Sequence, residues 1–388
     1  MPAKNNSANF IFTFLGLLTA FGPFVTDMYL PALPALTGYF DTGISMVQMG
    51  LTFSMIGLAA GQLFFGPLSD KYGRRRPLLC SMLLFAASTL ACICAPNIET
   101  FVALRFVQGI AASGGIVIAR SIAADKFKKK NLAKALAIVG AINGIAPIAA
   151  PVIGGLVLKA VGWKGIFLIL LIIGIILGGL CLHFHESLSS PRRSKEKLSQ
   201  TFRLFKTVLQ NKKYLYYTLE LSFALAMLFA YIASSPFIIQ NHYGYSPLAF
   251  SLFFAANAIA IGLGAAVSVK FKSQENCLKT SCAGMLFCSF GLLATLPDNP
   301  SIIVFESLLF ILCFTLGLSF TVATALAMNE ARANAGTASA VMGALGFLFG
   351  SIVSPLVGLG NIMLSTGITL TVCALLASFA AYKAVRSA

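Results

Sequence analysis

A single acidic residue interrupts the first long apolar run of the chain. Asp27 is the only charged residue between positions 10 and 36, and it lies in the segment TDMYLPALP. A run of about 20 apolar residues can cross a bilayer, where a carboxylate is costly unless it faces a cavity or a partner. Pro31 and Pro34 follow the acid within two turns and break the helix. Such a break is tolerated where the freed carbonyl groups face protein or water. Asp27 is therefore a candidate for binding and releasing a proton. The alternative is that the span ends near Val25 and the acid lies in solvent.

One basic residue raises the same question in another apolar run. Arg105 lies within LRFVQG, about seven residues into the run at 98–121, and it needs a partner or a water-filled cavity there. At about 1.5 Å per residue, it lies about 10 Å below the outer surface, a depth comparable with that of Asp27. The two side chains could therefore interact directly or through water. The alternative is that Arg105 extends its guanidinium group to the outer surface.

Two further acids lie within apolar runs. At about 1.5 Å per residue, Glu220 is about 12 Å from the cytoplasmic end of its run, and Glu306 is about 9 Å from the outer end of its run. Either residue could be a second proton or cation site, or could line a vestibule or cap a helix. The polar residues that we consider candidates for lining a substrate cavity are Tyr29, Gln108, Asn143, Glu220 and Glu306.

The composition indicates what kind of protein positions these residues. Of the 388 residues, 58% are hydrophobic and 10% are charged, whereas soluble domains are about 45–50% apolar and about 25% charged. The net charge of +16 comes from short basic clusters between apolar runs, a pattern typical of a membrane protein rather than of one that binds nucleic acid. The nine cysteines form no metal-binding or disulfide pattern. No nucleotide-binding loop is present, so we expect no direct coupling to ATP. We also expect no metal and no cofactor.

About twelve apolar runs must hold the candidate residues, and each is predicted to be a transmembrane helix, because helices satisfy their own backbone in lipid. Nearly all basic residues fall in alternate loops, so we expect both termini to be cytoplasmic. The runs cover approximately 10–36, 45–68, 77–95, 98–121, 132–158, 163–184, 213–238, 247–269, 277–296, 300–324, 335–358 and 362–383.

One long polar insert divides these runs into six and six. The predicted organisation is an N-terminal six-helix bundle at 1–184, a cytoplasmic linker at 185–212 and a C-terminal six-helix bundle at 213–388. Within the linker, residues 201–209 could form a short amphipathic helix on the membrane surface or could be flexible. A division of this kind is the plan of many secondary transporters.

A polar motif joins the second and third runs. The sequence GPLSDKYGRRR at 66–76 places a glycine that permits a tight turn beside an acid at a helix end. The motif resembles the most diagnostic loop of the major facilitator superfamily at every key position. That resemblance implies two six-helix bundles around a central cavity and a cytoplasmic latch. The latch residues would be Gly66, Asp70, Gly73, Arg74 and Asp125.

The fifth run combines small residues with prolines. Small residues four apart let helices pack closely, and prolines bend a helix where two halves must rock. The run resembles the antiporter motif of the same superfamily, with Ala150 in place of the glycine that usually precedes the second proline. The motif residues are Gly144, Pro147, Pro151, Gly154 and Gly155.

Together, TDMYLPALP, LRFVQG, the run Arg120 to Asp125 and APIAAPVIGG resemble the bicyclomycin/chloramphenicol-resistance branch of drug:proton antiporters. The resemblance implies proton-coupled efflux of small amphipathic compounds across the bacterial inner membrane by a multi-pass monomer. The partners would be a small-molecule substrate, protons and membrane lipid, with no nucleic acid. Desolvation favours the neutral form of a carboxyl group, so Asp27 would exchange the proton and Arg105 would favour its charged form.

Other functions remain open at this level. On the same scaffold, the chain could export a siderophore or a metabolite, or it could be a proton-coupled importer. It could also be a membrane sensor or scaffold that transports nothing. An integral-membrane enzyme is disfavoured, because no His/Asp/Glu cluster gathers where chemistry could occur.

Overall fold

The computed structural model describes residues 6–126, 129–188, 193, 207–331 and 335–386, and among these it leaves undescribed the side chains at 8, 124, 129–141, 143, 144, 335 and 336. Within that part of the chain every regular element is helical. The helices are α1 (Ala8–Asp27), α2 (Leu33–Tyr39), α3 (Ile44–Tyr72), α4 (Arg75–Ile93), α5 (Ile98–Lys126), α6 (Lys129–His183), α7 (Lys212–Phe237), α8 (Pro247–Ser268), α9 (Gln274–Thr295), α10 (Ile302–Glu330), α11 (Ala335–Leu356) and α12 (Ile362–Arg386).

Eleven helical stretches in the described residues are long and apolar enough to cross a membrane. The 55-residue helix α6 contains a non-helical residue, Gly162, with φ 75° and ψ −177°. It therefore joins two of the predicted runs, 132–158 and 163–184. The prediction of an all-helical, multi-pass membrane protein is confirmed. The cytoplasmic position of the termini stays a prediction, as does the amphipathic helix at 201–209, most of which lies outside the described residues.

In the part of the chain that the structure describes, seven helices follow a polar residue whose side chain accepts a hydrogen bond from a backbone N–H of the first turn. Such a cap satisfies a donor that has no partner within the helix. This matters at the ends of membrane helices, where the backbone approaches the lipid. The capping residues are Ser7, Asn97, Asn211, Ser246, Ser273, Ser301 and Asn361.

The contacts group the chain into two compact units. The first unit comprises Met1–Ala32 and Phe53–Glu196, and the second comprises Leu33–Thr52 and Lys197–Ala388. The boundary at Thr52 falls inside α3. This grouping follows contacts rather than chain order, so the predicted bundles at 1–184 and 213–388 stay a prediction.

Side-chain hydrogen bonds attach the start of α3 to the second unit. Gln48 Nε2 donates to the carbonyl oxygen of Ala233 on α7 at 2.9 Å. Ser45 Oγ donates to the carbonyl oxygen of Pro355 on α11 at 3.4 Å. Both bonds connect a polar side chain to a backbone carbonyl group close to a proline inside a helix, Pro236 for the first bond and Pro355 for the second.

In the first unit, α3 and α5 touch through their backbones. A Cβ added at Gly57 would overlap the carbonyl oxygen of Phe106, and one added at Gly109 would overlap the carbonyl oxygen of Ser54. Each helix therefore presents a glycine to a carbonyl group of the other. Lipid provides no hydrophobic drive for helix association, so close packing of this kind supplies the attraction.

The second unit repeats this arrangement between α8 and α10. A Cβ at Gly264 would overlap the carbonyl oxygen of Phe314, and one at Gly317 would overlap the carbonyl oxygen of Ile261. In each unit, therefore, two helices that are separated in the sequence by one other helix cross through a reciprocal pair of glycines.

We expect Gly264→Ala to lower the melting temperature of the purified protein, because the new methyl group forces the backbones of α8 and α10 apart. Overpacking of this kind costs about 1–3 kcal/mol. Gly262→Ala is the matched control on the same helix, since nothing lies within 4 Å of a Cβ there. Thermal unfolding followed with a dye that reacts with the newly exposed cysteine thiols gives the comparison. Equal shifts for the two variants would contradict the proposed role of the crossing.

Candidate functional site

Asp27 lies at a helix break inside the first unit. It is the last residue of α1, and after it the chain passes through a 3₁₀ turn, Leu30–Ala32. Asp27 is 8% exposed and its neighbours Met28 and Tyr29 are fully buried. Asp27 is therefore enclosed by protein rather than placed in a solvated loop. The residues on both sides of the end of α1 are buried in the first unit.

Arg105 on α5 holds the backbone and a ring on either side of Asp27. The guanidinium group is fully buried. Its Nη2 donates to the carbonyl oxygen of Val25 at 3.3 Å, and its Cζ lies 4.2 Å from the centroid of the Tyr29 ring. The last carbonyl groups of a helix have no partner within it and carry partial negative charge. The cation therefore stabilises the end of α1 and stacks on the ring that follows the break.

A short chain of hydrogen bonds fixes the orientation of Arg105. Nη1 of Arg105 donates to Oε1 of Gln108, one turn further along α5. Gln108 Nε2 donates in turn to the Thr89 hydroxyl at 2.7 Å, and that hydroxyl donates to the carbonyl oxygen of Phe85 at 2.7 Å. Gln108, which we predicted to line the substrate cavity, is fully buried. In this structure it positions the guanidinium group.

The structure does not pair the two charges directly. No ion pair joins Asp27 to Arg105 in the part of the chain that the structure describes. Within the same part, Arg105 Nε and the Tyr29 hydroxyl are buried without a hydrogen-bond partner. Of the two sequence-based alternatives for Arg105, extension to the surface does not fit its full burial. Arg105 contacts the end of α1 through the Val25 carbonyl group and the Tyr29 ring instead of through the Asp27 carboxylate.

The antiporter-like segment of α6 packs against this same break. A Cβ added at Gly154 would overlap the carbonyl oxygen of Met28, the residue after Asp27. Gly155 is buried beside it, and Pro147 and Pro151 lie inside the helix. The helix break and the small residues of α6 are thus parts of one packing arrangement. Asn143 and Gly144 lie outside the residues whose side chains the structure describes.

The loop between α3 and α4 forms the ion pairs that the resemblance implies. Arg74 Nε donates to Asp125 Oδ2 at 2.9 Å, and Nη1 donates to Asp70 Oδ1. Gly73 makes the turn with φ 89°, and Gly66 accepts a hydrogen bond from Ser69 Oγ at 2.8 Å. Burial alone would lower the pKa of Arg74, but the hydrogen bonds and charges of Asp125 and Asp70 outweigh it and raise that pKa.

Glu186 completes this cluster, and the sequence analysis missed it. Its Oε1 accepts from the backbone N–H of Arg74 at 2.8 Å, and its Oε2 accepts from that of Arg75 at 3.2 Å. A Cβ at Gly73 would overlap the same carboxylate. A negative group is favoured at the N-terminus of a helix, here α4. The signal available in the sequence was an acid directly after the sixth run, in a chain with few acids.

The two acids of the second unit are engaged by polar partners there. Glu220 on α7 is fully buried, and its Oε1 accepts from the Ser319 hydroxyl at 2.6 Å. Glu306 on α10 accepts from Asn257 Nδ2 on α8 at 3.0 Å. Each carboxylate has one buried oxygen without a partner among the described residues. The structure describes each acid within its own unit, and it does not bring Glu220 and Glu306 into one cluster.

Comparison with known sequences extends over nearly the whole chain. The model of a family described as the Major Facilitator Superfamily matches residues 15–355. An uncharacterized MFS-type transporter of Bacillus subtilis, YdgK, is 36% identical over 353 residues, which are 89% of this chain and 88% of that protein. The bicyclomycin resistance protein homolog of Haemophilus influenzae is 28% identical over 92% of this chain and 90% of that one. The multidrug resistance protein MdtL of Salmonella heidelberg is 26% identical over 82% of this chain and 80% of that one.

Solved structures share the fold. A bacterial homolog of the human lysosomal transporter Spinster, in an inward-facing conformation, superposes with a TM-score of 0.77 at 15% identity, covering 98% of this chain and 99% of that one. The xylose transporter XylE of Escherichia coli gives 0.72 at 14% identity, covering 96% of each chain. The sequence-based resemblance to this superfamily, and to its bicyclomycin-resistance branch, is confirmed.

We expect Gly154→Ala to disturb the break that holds Asp27, because the added methyl group displaces the Met28 carbonyl group. The peptide at 26–33 should then exchange its amide hydrogens faster, and the melting temperature should fall. Gly179→Ala is the control on α6, since nothing lies within 4 Å of a Cβ there. Unchanged exchange at 26–33 in the Gly154 variant would contradict this account of the packing.

We expect Glu186→Gln to destabilise the start of α4 by about 1 kcal/mol, the scale of a charge at a helix end. Glu99→Gln is the comparator. Glu99 is an exposed acid in the first turn of α5, whereas Glu186 contacts the first turn of α4 from outside that helix. Thermal unfolding should give the larger shift for Glu186→Gln. An equal or smaller shift would mean that the contacts of Glu186 with Arg74 and Arg75 add nothing.

Proposed function

The chain belongs to the major facilitator superfamily, and we propose that it is a proton-coupled exporter of small amphipathic compounds. Membership makes it a transporter of small molecules rather than an enzyme. The names of the relatives from Haemophilus and Salmonella, which refer to bicyclomycin and to multidrug resistance, support drugs or drug-like compounds as cargo. The antiporter-like segment of α6 supports export over import.

The observation that carries the proposal is the burial of Asp27 at the break between α1 and α2. Desolvation penalises the charged form of a carboxyl group, whereas contact with water or with a cation favours it. These two opposed effects suit a group that must both accept and release a proton as its surroundings change. Arg105 does not neutralise the acid in a direct ion pair, so the carboxylate stays available for a proton or for a cationic part of the cargo.

We propose the following cycle on this basis. With the site open to the outside, a carboxyl oxygen of Asp27 accepts a proton, and any cargo held by the ionised form is released. The neutral site then reorients, because a neutral group is less costly than a charge in a closed, low-dielectric interior. With the site open to the cytoplasm, the proton leaves and cargo binds. Coupling requires that proton and cargo bind in alternation and that the site reorients only when one of them is bound.

Arg105 and the α6 glycines are positioning groups in this scheme. Arg105 holds Val25 and Tyr29, so it determines where the backbone places the intervening acid. We propose that Asp70, Arg74 and Asp125, with Glu186, act as the cytoplasmic latch that opens and closes between states. The host membrane would be the bacterial inner membrane, and the protein would act as a monomer of two six-helix bundles.

Replacing Asp27 with asparagine should abolish accumulation of ethidium or bicyclomycin against its gradient in inverted vesicles energised with a pH gradient. A monodisperse elution profile and an unchanged melting temperature show that the variant is folded. Asp298→Asn, which removes an exposed acid, should accumulate both compounds as the wild type does. Normal uphill accumulation by the Asp27→Asn variant would eliminate the proposed coupling site.

A further inference from the structure

A cleft in the second unit is separate from the residues around Asp27. It lies between α8 and α10 and has a volume of approximately 620 Å³. Pockets for small molecules typically enclose about 300–1,000 Å³ and are mostly apolar with a few convergent polar groups. This cleft fits that description. The lining residues that matter are Tyr245, Phe253, Asn257, Ile303, Glu306 and Phe310.

The polar groups of the cleft form a fixed arrangement. Asn257 is 1% exposed, and its Nδ2 donates to Glu306 Oε2 at 3.0 Å and to the Tyr231 hydroxyl oxygen at 3.1 Å. The reverse orientation of the amide would place its oxygen against a carboxylate oxygen, where neither atom could donate. The amide orientation is therefore determined by its partners.

This arrangement leaves two acceptors unused. Glu306 Oε1 and Asn257 Oδ1 are both buried and have no hydrogen-bond partner in the part of the chain that the structure describes. A buried polar atom without a partner costs free energy, and the cost is larger for a charged group. A ligand that satisfies both atoms must donate hydrogen bonds, and one that also neutralises the carboxylate must carry a positive charge.

The walls of the cleft select among cations. A bound Ca²⁺ ion takes six to eight oxygen ligands, whereas most of the residues lining this cleft are aliphatic or aromatic. Aromatic rings bind the apolar part of an organic molecule and also attract its positive charge. Ile303 at the start of α10 is 75% exposed, so one wall continues into an apolar surface on a membrane-spanning helix.

We propose that the cleft between α8 and α10 binds an amphipathic amine, with its protonated nitrogen donating to Glu306 and Asn257 and its apolar part against Phe253 and Phe310. An N–H group is required because the unused atoms are acceptors. A quaternary ammonium ion carries the same charge but cannot donate. The proposal concerns binding, and it holds whether or not transport by this chain is coupled to protons.

The test measures binding of the aromatic secondary amine desipramine, whose protonated nitrogen carries two N–H groups, to the purified full-length protein in lipid nanodiscs at neutral pH, with empty nanodiscs as background. The second probe is the quaternary N,N-dimethyl analogue of desipramine, which carries no N–H group. Wild-type protein should bind the secondary amine at least about tenfold more tightly, the equivalent of about 1.4 kcal/mol. Glu306→Gln and Asn257→Leu should each remove most of that difference. Glu306→Asp should retain part of it, because the carboxylate is kept.

Asp298→Asn is the control, because it removes an exposed acid of the second unit that does not line the cleft. It should bind desipramine as the wild type does. Asp27→Asn alters the acid that the proposed cycle uses, so it tests the competing site. Loss of the preference for desipramine over its quaternary analogue in Asp27→Asn, with an unchanged preference in Glu306→Gln, would overturn the proposal and place the amine in the first unit. Equal affinity of the wild type for the two probes would overturn the requirement for an N–H donor. A monodisperse elution profile and an unchanged melting temperature identify variants that are folded.

Discussion

The interaction on which the first unit depends is the contact of a buried guanidinium group with the end of a broken helix. α1 ends among buried residues of the first unit, and Arg105 donates to one of its last carbonyl groups, at Val25. The cation in turn needs compensation, and it finds partial negative charge at the helix end, an amide oxygen and the face of Tyr29. Asp27 lies between the two anchored points, Val25 and Tyr29. Its position is therefore a consequence of how a nearby cation is accommodated.

Close backbone packing is the second constraint. It occurs at several places where two helices cross. Gly154 brings α6 against the break, and the reciprocal glycine pairs join α3 to α5 and α8 to α10. In lipid, attraction between helices comes from van der Waals contact and hydrogen bonding rather than from hydrophobic burial. Glycine gives the largest contact at the smallest separation. This explains why small residues recur at equivalent crossings in the two units.

The buried acids of the second unit have different partners from the buried acid of the first unit. Among the described residues no ion pair joins Asp27 to a basic side chain, whereas Glu220 and Glu306 each accept one hydrogen bond from a neutral side chain, Ser319 and Asn257 respectively. A neutral donor stabilises a carboxylate without adding a charge, and it leaves the second oxygen free to accept. The two units therefore hold their buried acids in different ways, Asp27 at a helix end that binds a cation and the two glutamates against neutral donors.

Several features follow from the sequence alone. Hydropathy and the alternation of basic loops predict the membrane helices, because the energy of a residue in lipid depends mainly on its own side chain. The resemblance of the motif at 66–76 to the loop of the superfamily implies the cluster of Asp70, Arg74 and Asp125. The sequence also makes Asp27 and Arg105 candidates for burial, because each interrupts a run that must lie in lipid or protein.

Tertiary structure decided the partners. Arg105 contacts a carbonyl group and a ring instead of the Asp27 carboxylate, Gln108 donates to Thr89 on α4, and Glu186 caps α4. Each depends on the rotation and separation of helices that are far apart in sequence, and hydropathy carries no information about rotation around a helix axis. The same holds for the cleft at Glu306, because no pattern in α10 alone indicates that Asn257 on α8 faces it. The sequence thus determined which residues are costly to bury, and packing determined how each cost is met.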